Sequence, residues 1–329
     1  MSATRTRVAP QLPKLPERAA TKAPTFSFVI PTLNEAADIA ATLEAALAQR
    51  LPAADIVIVD GGSQDGTPDV VRRYAGRAPV VLIEEGRRRG VAAARNSGVR
   101  AATGDVVVIL NADVRPGPDF LERLAPLYRE GFDCVSVESR VENLDAVTGR
   151  FLQAEHELLY GEDRRQNVGW TEGFSCRRDA ALRAPFPEEI PGAGGEDVVF
   201  FDRLLASGCS WKGEFSIVVP HRVPETLSGF WRQWAGRGMA VPHAERRLRG
   251  LPLWRVTARR TAAAVWSLVL ASSVAAPLVA AWRRARRSSR GLRDLPAFWA
   301  LWHLRMLAHR SGEWRSLLQL WREGMRGAG

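Results

Sequence analysis

The feature that most constrains this chain is the stretch Gly104–Pro116, GDVVVILNADVRP. Val106 to Leu110 is a fully apolar, largely β-branched run. It is too short for a helix and reads as a strand buried on both faces. The run stops at Asn111-Ala112-Asp113. In open α/β sheets, ligands sit at the carboxyl ends of strands. Alternation in an extended chain points Asn111 and Asp113 to one side. Two oxygen ligands there suit a hard divalent cation carrying a diphosphate. A solvated turn is the alternative at this point, because Asn-Ala-Asp is also ordinary turn chemistry.

Three more short apolar runs precede it: Phe26–Ile30, ended by Pro31; Ile56–Val59, ended by Asp60; and Val80–Ile83. Helical patterns lie between them. Ile39, Leu43 and Leu47 recur every four residues within Glu35–Gln49, with Asn34 as the expected cap. A second helix runs to about Arg73, capped by Asp65 or Thr67. A third spans Gly90–Ala102 and carries Arg95 and Asn96. This β-α-β-α-β-α-β alternation predicts a parallel sheet with right-handed crossovers. Asp60 and Asp113 then lie on one sheet edge, with Glu35 close by. Clustered acids repel one another unless a positive group sits among them. A metal-bound nucleotide, read by carboxylate hydrogen bonds to base and ribose, accounts for both features.

Beyond Pro116 the pattern predicts a helix near Asp119–Arg129, a strand at Cys134–Glu138, a helix over Leu144–Tyr160 and a strand within Gly169–Arg178. A glycine-rich loop, Pro191–Gly195, leads to Glu196 and Asp197 and a helix over Val198–Ala206. A helix dipole alone explains acids at that place. A general base is the functional reading, and for Asp197 it is preferred. His221 reads as a hydrogen-bonded structural histidine, with a site role as the alternative. Leu227–Met239 is expected to form an amphipathic interface helix carrying Phe230, Trp231 and Trp234.

The net charge of +10 is unevenly spread. Residues 1–25 carry five Lys/Arg and one Glu, and residues 246–329 carry seventeen Arg and three acids, which leaves the body between them acidic. A nucleic-acid-binding domain more usually puts its basic charge on the folded face, so no nucleic-acid partner is expected. A basic, Trp-rich C-terminal region points instead to an anionic membrane surface. The expected organisation is a disordered basic tail (1–24), a catalytic domain (25–245) and a helical membrane-associated region (246–329). Thr261–Trp282 is an uncharged stretch of 22 residues, long enough to span a bilayer. A spanning helix, a re-entrant hairpin and an interfacial helix all remain open, as does a soluble helical subdomain. Cys134, Cys176 and Cys209 lack metal spacing and read as buried residues in a reducing compartment. No apolar leader segment is visible at the N-terminus.

Four motifs in order carry a resemblance: PTLNE (31–35), VDGGSQDGT (59–67), GVAAARNSG (90–98) with ATGDVVVILNADVRP (102–116), and GGEDVVFFDRLLASG (194–208). Together they resemble the family 2 glycosyltransferases, which are inverting enzymes of the α/β GT-A fold. The resemblance implies a nucleoside-diphosphate-sugar donor and a divalent metal, Mn²⁺ or Mg²⁺. It places Pro31, Thr32 and Glu35 at the nucleoside, Asp60 at the base, and Arg95 and Asn96 in the donor pocket. Asn111 and Asp113 match the family's Asp-X-Asp, whose second acid binds the metal. Asp197 matches the catalytic base, with Glu196 beside it. Trp170 stacks on a sugar face or belongs to the core. Gln233 and Arg237 loosely match Gln-X-X-Arg-Trp, at a spacing of four rather than three, and Arg237 meets the diphosphate or a lipid phosphate.

Two departures bear on the chemistry. Asn111 replaces the first Asp and carries no charge. Gly61 replaces the second of two acids common after the second strand, which leaves donor identity open.

The expected function is sugar transfer to a lipid-linked or glycan acceptor at the cell membrane, with the catalytic domain in the cytoplasm and membrane lipids as partners. The alternatives are a polyprenyl-phosphate sugar synthase, whose phosphate acceptor needs no strong base, and an inactive GT-A scaffold that binds a nucleotide sugar or a partner. A Rossmann oxidoreductase is disfavoured, because no G-x-G-x-x-G follows the first strand.

Overall fold

The structure, a computed structural model, describes residues 23–76, 79–86, 89–160, 170–190 and 194–326. The tail expected over 1–24 therefore lies almost wholly outside the described residues, as do Gly169 and Pro191–Ala193. The first half runs β1 (Phe26–Thr32), α1 (Ile39–Leu47), β2 (Asp55–Asp60), α2 (Thr67–Arg72), β3 (Val80–Glu84), α3 (Val91–Ala101) and β4 (Val106–Ile109). It continues through α4 (Phe120–Arg129), β5 (Cys134–Val141), α5 (Val147–Tyr160), β6 (Phe174–Arg177), α6 (Arg178–Arg183), α7 (Glu196–Ala206) and β7 (Trp211–His221). The C-terminal helices are α8 (Leu227–His243), α9 (Leu253–Ser272), α10 (Ala275–Ala285) and α11 (Leu295–Arg326).

The seven strands form one sheet in the order β3-β2-β1-β4-β6-β5-β7. All neighbours are parallel except β6, which runs antiparallel to β4 and β5. The apolar runs are explained by burial on both faces. Phe28, Ile30, Ile56, Ile58, Val106 and Val108 face a core shared with α1, α2 and α4. Their alternates Val29, Val57, Val59, Val107 and Ile109 face a second core with α3, α6 and α7. With both faces apolar, polar positions inside these strands are few: Ser27 in β1 accepts from the Gly104 amide at 2.8 Å, and Asp55 opens β2 at the opposite edge. Asp60 and Asn111 fall at the carboxyl edge of the sheet.

A third core joins the C-terminal helices to the body: Val141, Phe151, Phe230 and Trp234 pack with Ala281, Phe298 and Trp302. Arg150 pairs with Asp294 at 2.7 Å, and Arg284 and Arg305 both pair with Glu155. Such buried pairs fix register because a lone charge left there is costly. α8 and α11 cross backbone to backbone. A Cβ on Gly238 would lie 2.0 Å from the His309 carbonyl oxygen, and one on Gly312 would lie 1.9 Å from that of Ala235.

Two expectations are corrected, and one open alternative is narrowed. Asn34 does not cap α1: it has a positive φ of 59°, its amide donates to Ser63 Oγ, and Asp38 stands at the N-cap. Asn111 and Asp113 do not share a side, because β4 ends at Ile109 and the Val114 amide turns back to the Asn111 carbonyl. Thr261–Trp282 does not form one rod, since α9 and α10 meet at a bend of 80°.

Candidate functional site

The site lies where β1, β2 and β4 end. Thr32 and Asp60 are register partners there. Asp60 is buried, and its carboxylate is turned inward. Oδ2 accepts from the Gly62 and Ser63 amides at 3.0 and 2.9 Å, and Oδ1 accepts from Ser63 Oγ at 2.5 Å and Thr32 Oγ1 at 3.2 Å. A carboxylate has about four acceptor positions, so Asp60 shapes the 60–63 loop in this state. Pro31 precedes Thr32 within β1. Glu35 follows it, with its amide donating to Thr67 Oγ1 at 2.8 Å. Burial, and after it the charges of Asp113, Asp38 and Asp65, pushes the Glu35 carboxyl up to about 8. Buried, crowded acids behave this way, even with Arg115 3.1 Å from Asp38.

Arg95 on α3 is the hub of the opposite wall. Nη1 donates to Glu196 Oε1 at 2.7 Å, and Nη2 donates to Asn111 Oδ1 at 3.1 Å and Thr171 Oγ1 at 2.7 Å. Both Arg95 and Glu196 are almost fully buried. Glu196 Oε2 accepts from the Gly194 amide at 2.5 Å, so both of its oxygens hold the structure together. Asn111 needs no charge to accept from Arg95. Asn96 also points inward: it bonds both backbone groups of Phe186 and Glu188 Oε1, pinning the 186–188 loop.

Asp113 is placed differently. The 113–115 segment pairs with the end of β7: Val114 bridges to His221, and the Arg222 amide donates to the Asp113 carbonyl. Asp113 Oδ2 lies 3.3 Å from His221 Nε2. Burial alone would lower the His221 pKa, yet Asp113 and then Glu172 override it and lift it to about 9. Asp113 Oδ1 is buried and has no hydrogen-bond partner; the same holds for His221 Nδ1, Glu172 Oε2 and Gln233 Oε1. Asp113, His221 and Glu172 adjoin one another, and buried orphans of this kind are costly unless a ligand meets them. Glu172 was not singled out from sequence, and for His221 a site role was the alternative to a structural one. The available signal was Thr171-Glu172-Gly173 just before a strand. That strand, β6, is antiparallel to β4, so its start lies beside the β4 end, with Ile109 opposite Phe174.

Asp197 is the second residue of α7, and its Oδ1 accepts from the Val198 amide at 2.8 Å. Burial, with Glu196 and Glu172 adding and Arg95 opposing, raises its pKa to about 7. That value suits a base working near neutrality. α8 crosses beside this loop, since a Cβ on Gly194 would lie 2.8 Å from Arg237 Cα. Gly194 and Gly195 both have positive φ, which glycine adopts without strain. The Arg237 guanidinium lies 4.7 Å from the Trp234 ring centroid and has no carboxylate partner among the described residues. Trp170 is half-buried, with its ring 5.6 Å from that of His156. Burial, and then His221 and Arg237, lowers the His156 pKa to about 3, so this histidine is neutral.

No group of three or more His, Cys, Asp or Glu side chains is gathered for a metal among the described residues. The residues nevertheless fit a phosphate-bound cation. Mn²⁺ or Mg²⁺ at such sites takes one or two carboxylates, with phosphates and water supplying the rest, and Asp113 Oδ1 is an orphaned oxygen in the right place.

A mainly parallel sheet flanked by helices, with acids at the β1, β2 and β4 ends and a Glu-Asp pair opening a later helix, defines the GT-A class of nucleotide-diphospho-sugar transferases. Residues 27–189 match the model of Glycosyl transferase family 2, and the chain belongs to that family. Among its relatives is glycosyltransferase AglE of Haloferax volcanii, 30% identical over 195 residues, which cover 57% of this chain and 63% of that one. Poly-beta-1,6-N-acetyl-D-glucosamine synthase of Staphylococcus aureus is 26% identical over 234 residues, 66% of this chain and 55% of that one. Undecaprenyl-phosphate 4-deoxy-4-formamido-L-arabinose transferase of Pseudomonas syringae is 39% identical over 114 residues, 33% and 34% respectively. The chain spans less than two thirds of the length of these curated relatives. The fold matches the mannosyltransferase PcManGT of Pyrobaculum calidifontis, solved with GDP-Man and Mn²⁺, at a TM-score of 0.57 and 23% identity, over 91% of this chain and 88% of that one.

Proposed function

We propose that this protein is an inverting glycosyltransferase that moves a sugar from a nucleoside diphosphate to a lipid-linked or glycan acceptor at the cytoplasmic face of the cell membrane. One observation carries the reading. Asp113, with an unpartnered oxygen, and Asp197, with a carboxyl raised to about 7, are linked through Glu172, which lies 3.9 Å from Asp113's neighbour His221 and whose charge also acts on Asp197. A cation site and a base are the two groups such a transfer needs.

The nucleoside lies along Pro31, Thr32 and Glu35, against the loop that Asp60 holds. Asp113, with His221 beside it, would hold Mn²⁺ or Mg²⁺; that cation would neutralise charge on the departing diphosphate. Arg237, unpaired and stacked on Trp234, faces the same phosphates with Gln233 beside it. Asp197 takes the proton of the acceptor hydroxyl through Oδ2, as Oδ1 is held by the Val198 amide. Glu196 and Arg95 hold the helix start in place, and Trp170 offers a face to the acceptor sugar. Two relatives support the acceptor class, one named for undecaprenyl phosphate and one for a polysaccharide. The exposed Trp- and Arg-rich surface of the C-terminal helices supports a place at the membrane.

Calorimetric titration with UDP and GDP, in Mn²⁺ and then in EDTA, tests this reading. Metal-dependent binding of one nucleotide is expected. If well-folded protein binds neither, the inactive-scaffold alternative takes its place.

A further inference from the structure

Between α9 and α10 the chain turns a corner. Ser273 takes an extended ψ of 137°, and the two helices meet at 80°. No single helix among the described residues is long and apolar enough to cross a membrane. A straight helix over Thr261–Trp282 would be about 33 Å long and would reach across ~30 Å of hydrocarbon. Bent, its two arms, Thr261–Ser272 and Ala275–Trp282, are about 18 and about 12 Å long. With the corner pointing inward and each arm tilted ~50° from the normal, the corner reaches a depth of roughly 10 Å, inside one leaflet.

The inner side of this corner is tied to the body. Pro277 and Ala281 are buried, Ser267 Oγ accepts from Arg310 Nε at 3.0 Å, and Arg284 reaches Glu155. The outer side has only water to meet. Val265, Trp266, Val269, Leu278 and Trp282 are exposed on it, and Val274 at the corner is 79% exposed. A continuous apolar face of this kind marks an interaction surface. Its charge complement sits at the foot of one arm. Arg283, Arg286, Arg287 and Trp282 line an open crevice of about 350 Å³, and these three guanidiniums have no carboxylate partner among the described residues. Arg259, 56% exposed and paired with Glu245 at 3.1 Å, stands just before the other arm. Arginine at both ends conflicts with a spanning helix, because cationic flanks favour one side. It suits a corner whose two feet return to one headgroup layer.

We infer that α9 and α10 form a monotopic wedge in one leaflet of an anionic phospholipid bilayer, with Val274 deepest and Arg283, Arg286 and Arg287 on lipid phosphates. The inference rests on the membrane reading above and specifies how the membrane is met.

The test uses the full chain and sealed vesicles of phosphatidylglycerol with phosphatidylcholine. Flotation with these vesicles is expected, but not with phosphatidylcholine alone. Replacing all three arginines (Arg283→Gln, Arg286→Gln, Arg287→Gln) should weaken partitioning about 100-fold, at roughly fivefold per charge, with an unchanged melting temperature. A fluorophore on Val274→Cys should be quenched most by spin labels high on the acyl chain. Cysteines at Ala258 and Ser288 should both react with an impermeant reagent added outside. Failure of the full chain to float overturns the membrane reading and the wedge together. Flotation with the Val274 label left in water overturns the wedge alone. Reaction of only one of the two flanking cysteines means a span, which also overturns the wedge. A dimer that Val274→Glu dissociates, in protein that does not float, means that a second copy covers this face.

Discussion

The Arg95 guanidinium lies 2.7 Å from the Glu196 carboxylate, both side chains only 4% exposed. The pair joins α3 to the start of α7 and thereby sets the position of Asp197, the next residue. Breaking one partner of a buried pair leaves an uncompensated charge, at a cost of about 3–5 kcal/mol. Arg95→Met should therefore lower the melting temperature by more than ~5 °C. Arg95→Met with Glu196→Met should recover part of that loss. An additive double variant in thermal melts would show that the two side chains do not act as a pair.

Asp197→Asn should abolish transfer and leave nucleotide binding intact. In the native enzyme the rate should rise with pH through about 7, as the carboxyl loses its proton. Stability should run the other way. The folded protein binds this proton more tightly than the unfolded chain, so the contribution is full below about pH 4 and is lost as pH rises through 7. Asp197→Asn should thus melt higher than the native protein at pH 8, by at least ~2 °C, and show no such gain at pH 4. Melts at the two pH values, beside a nucleotide titration, check both halves.

Asp113→Asn should remove Mn²⁺-dependent nucleotide binding. His221→Ala should weaken it roughly 10- to 100-fold, the usual cost of losing a group that orients a metal ligand. Chelation should bring the native protein to the level of Asp113→Asn. Nucleotide affinity of His221→Ala that matches the native protein with and without Mn²⁺ would remove His221 from the site.

Gly312→Val should destabilise the fold well beyond the ~1–3 kcal/mol of ordinary overpacking, since even a Cβ there would lie 1.9 Å from the Ala235 carbonyl oxygen. Gly324→Val, on the same helix with open space around it, is the control and should leave stability unchanged or slightly raised, because valine is the better helix former. Equal melting temperatures for the two variants would contradict the close crossing of α8 and α11.

Much of this protein was legible because buried parallel strands leave a plain signature. Runs such as Phe26–Ile30 and Val106–Leu110 must be apolar on both faces, so the sequence locates the strands, their ends and the acids just beyond them. The edge strand β7 escaped, because its WKGEFSIVVPH pattern has one polar face and a register irregularity opposite Val137/Glu138. With it went the pairing of His221 with Asp113, which joins residues far apart in the chain. Hydrogen bonds decided what residue types could not: Asn111 faces Arg95 while Asp113 faces His221, because a turn ended the alternation. Composition measured the length of Thr261–Trp282, but only packing of Ala281 and Arg284 against α5 set its corner. Local sequence dictates which segments bury their side chains. The partners those side chains meet depend on contacts between distant segments, which only the folded chain brings together.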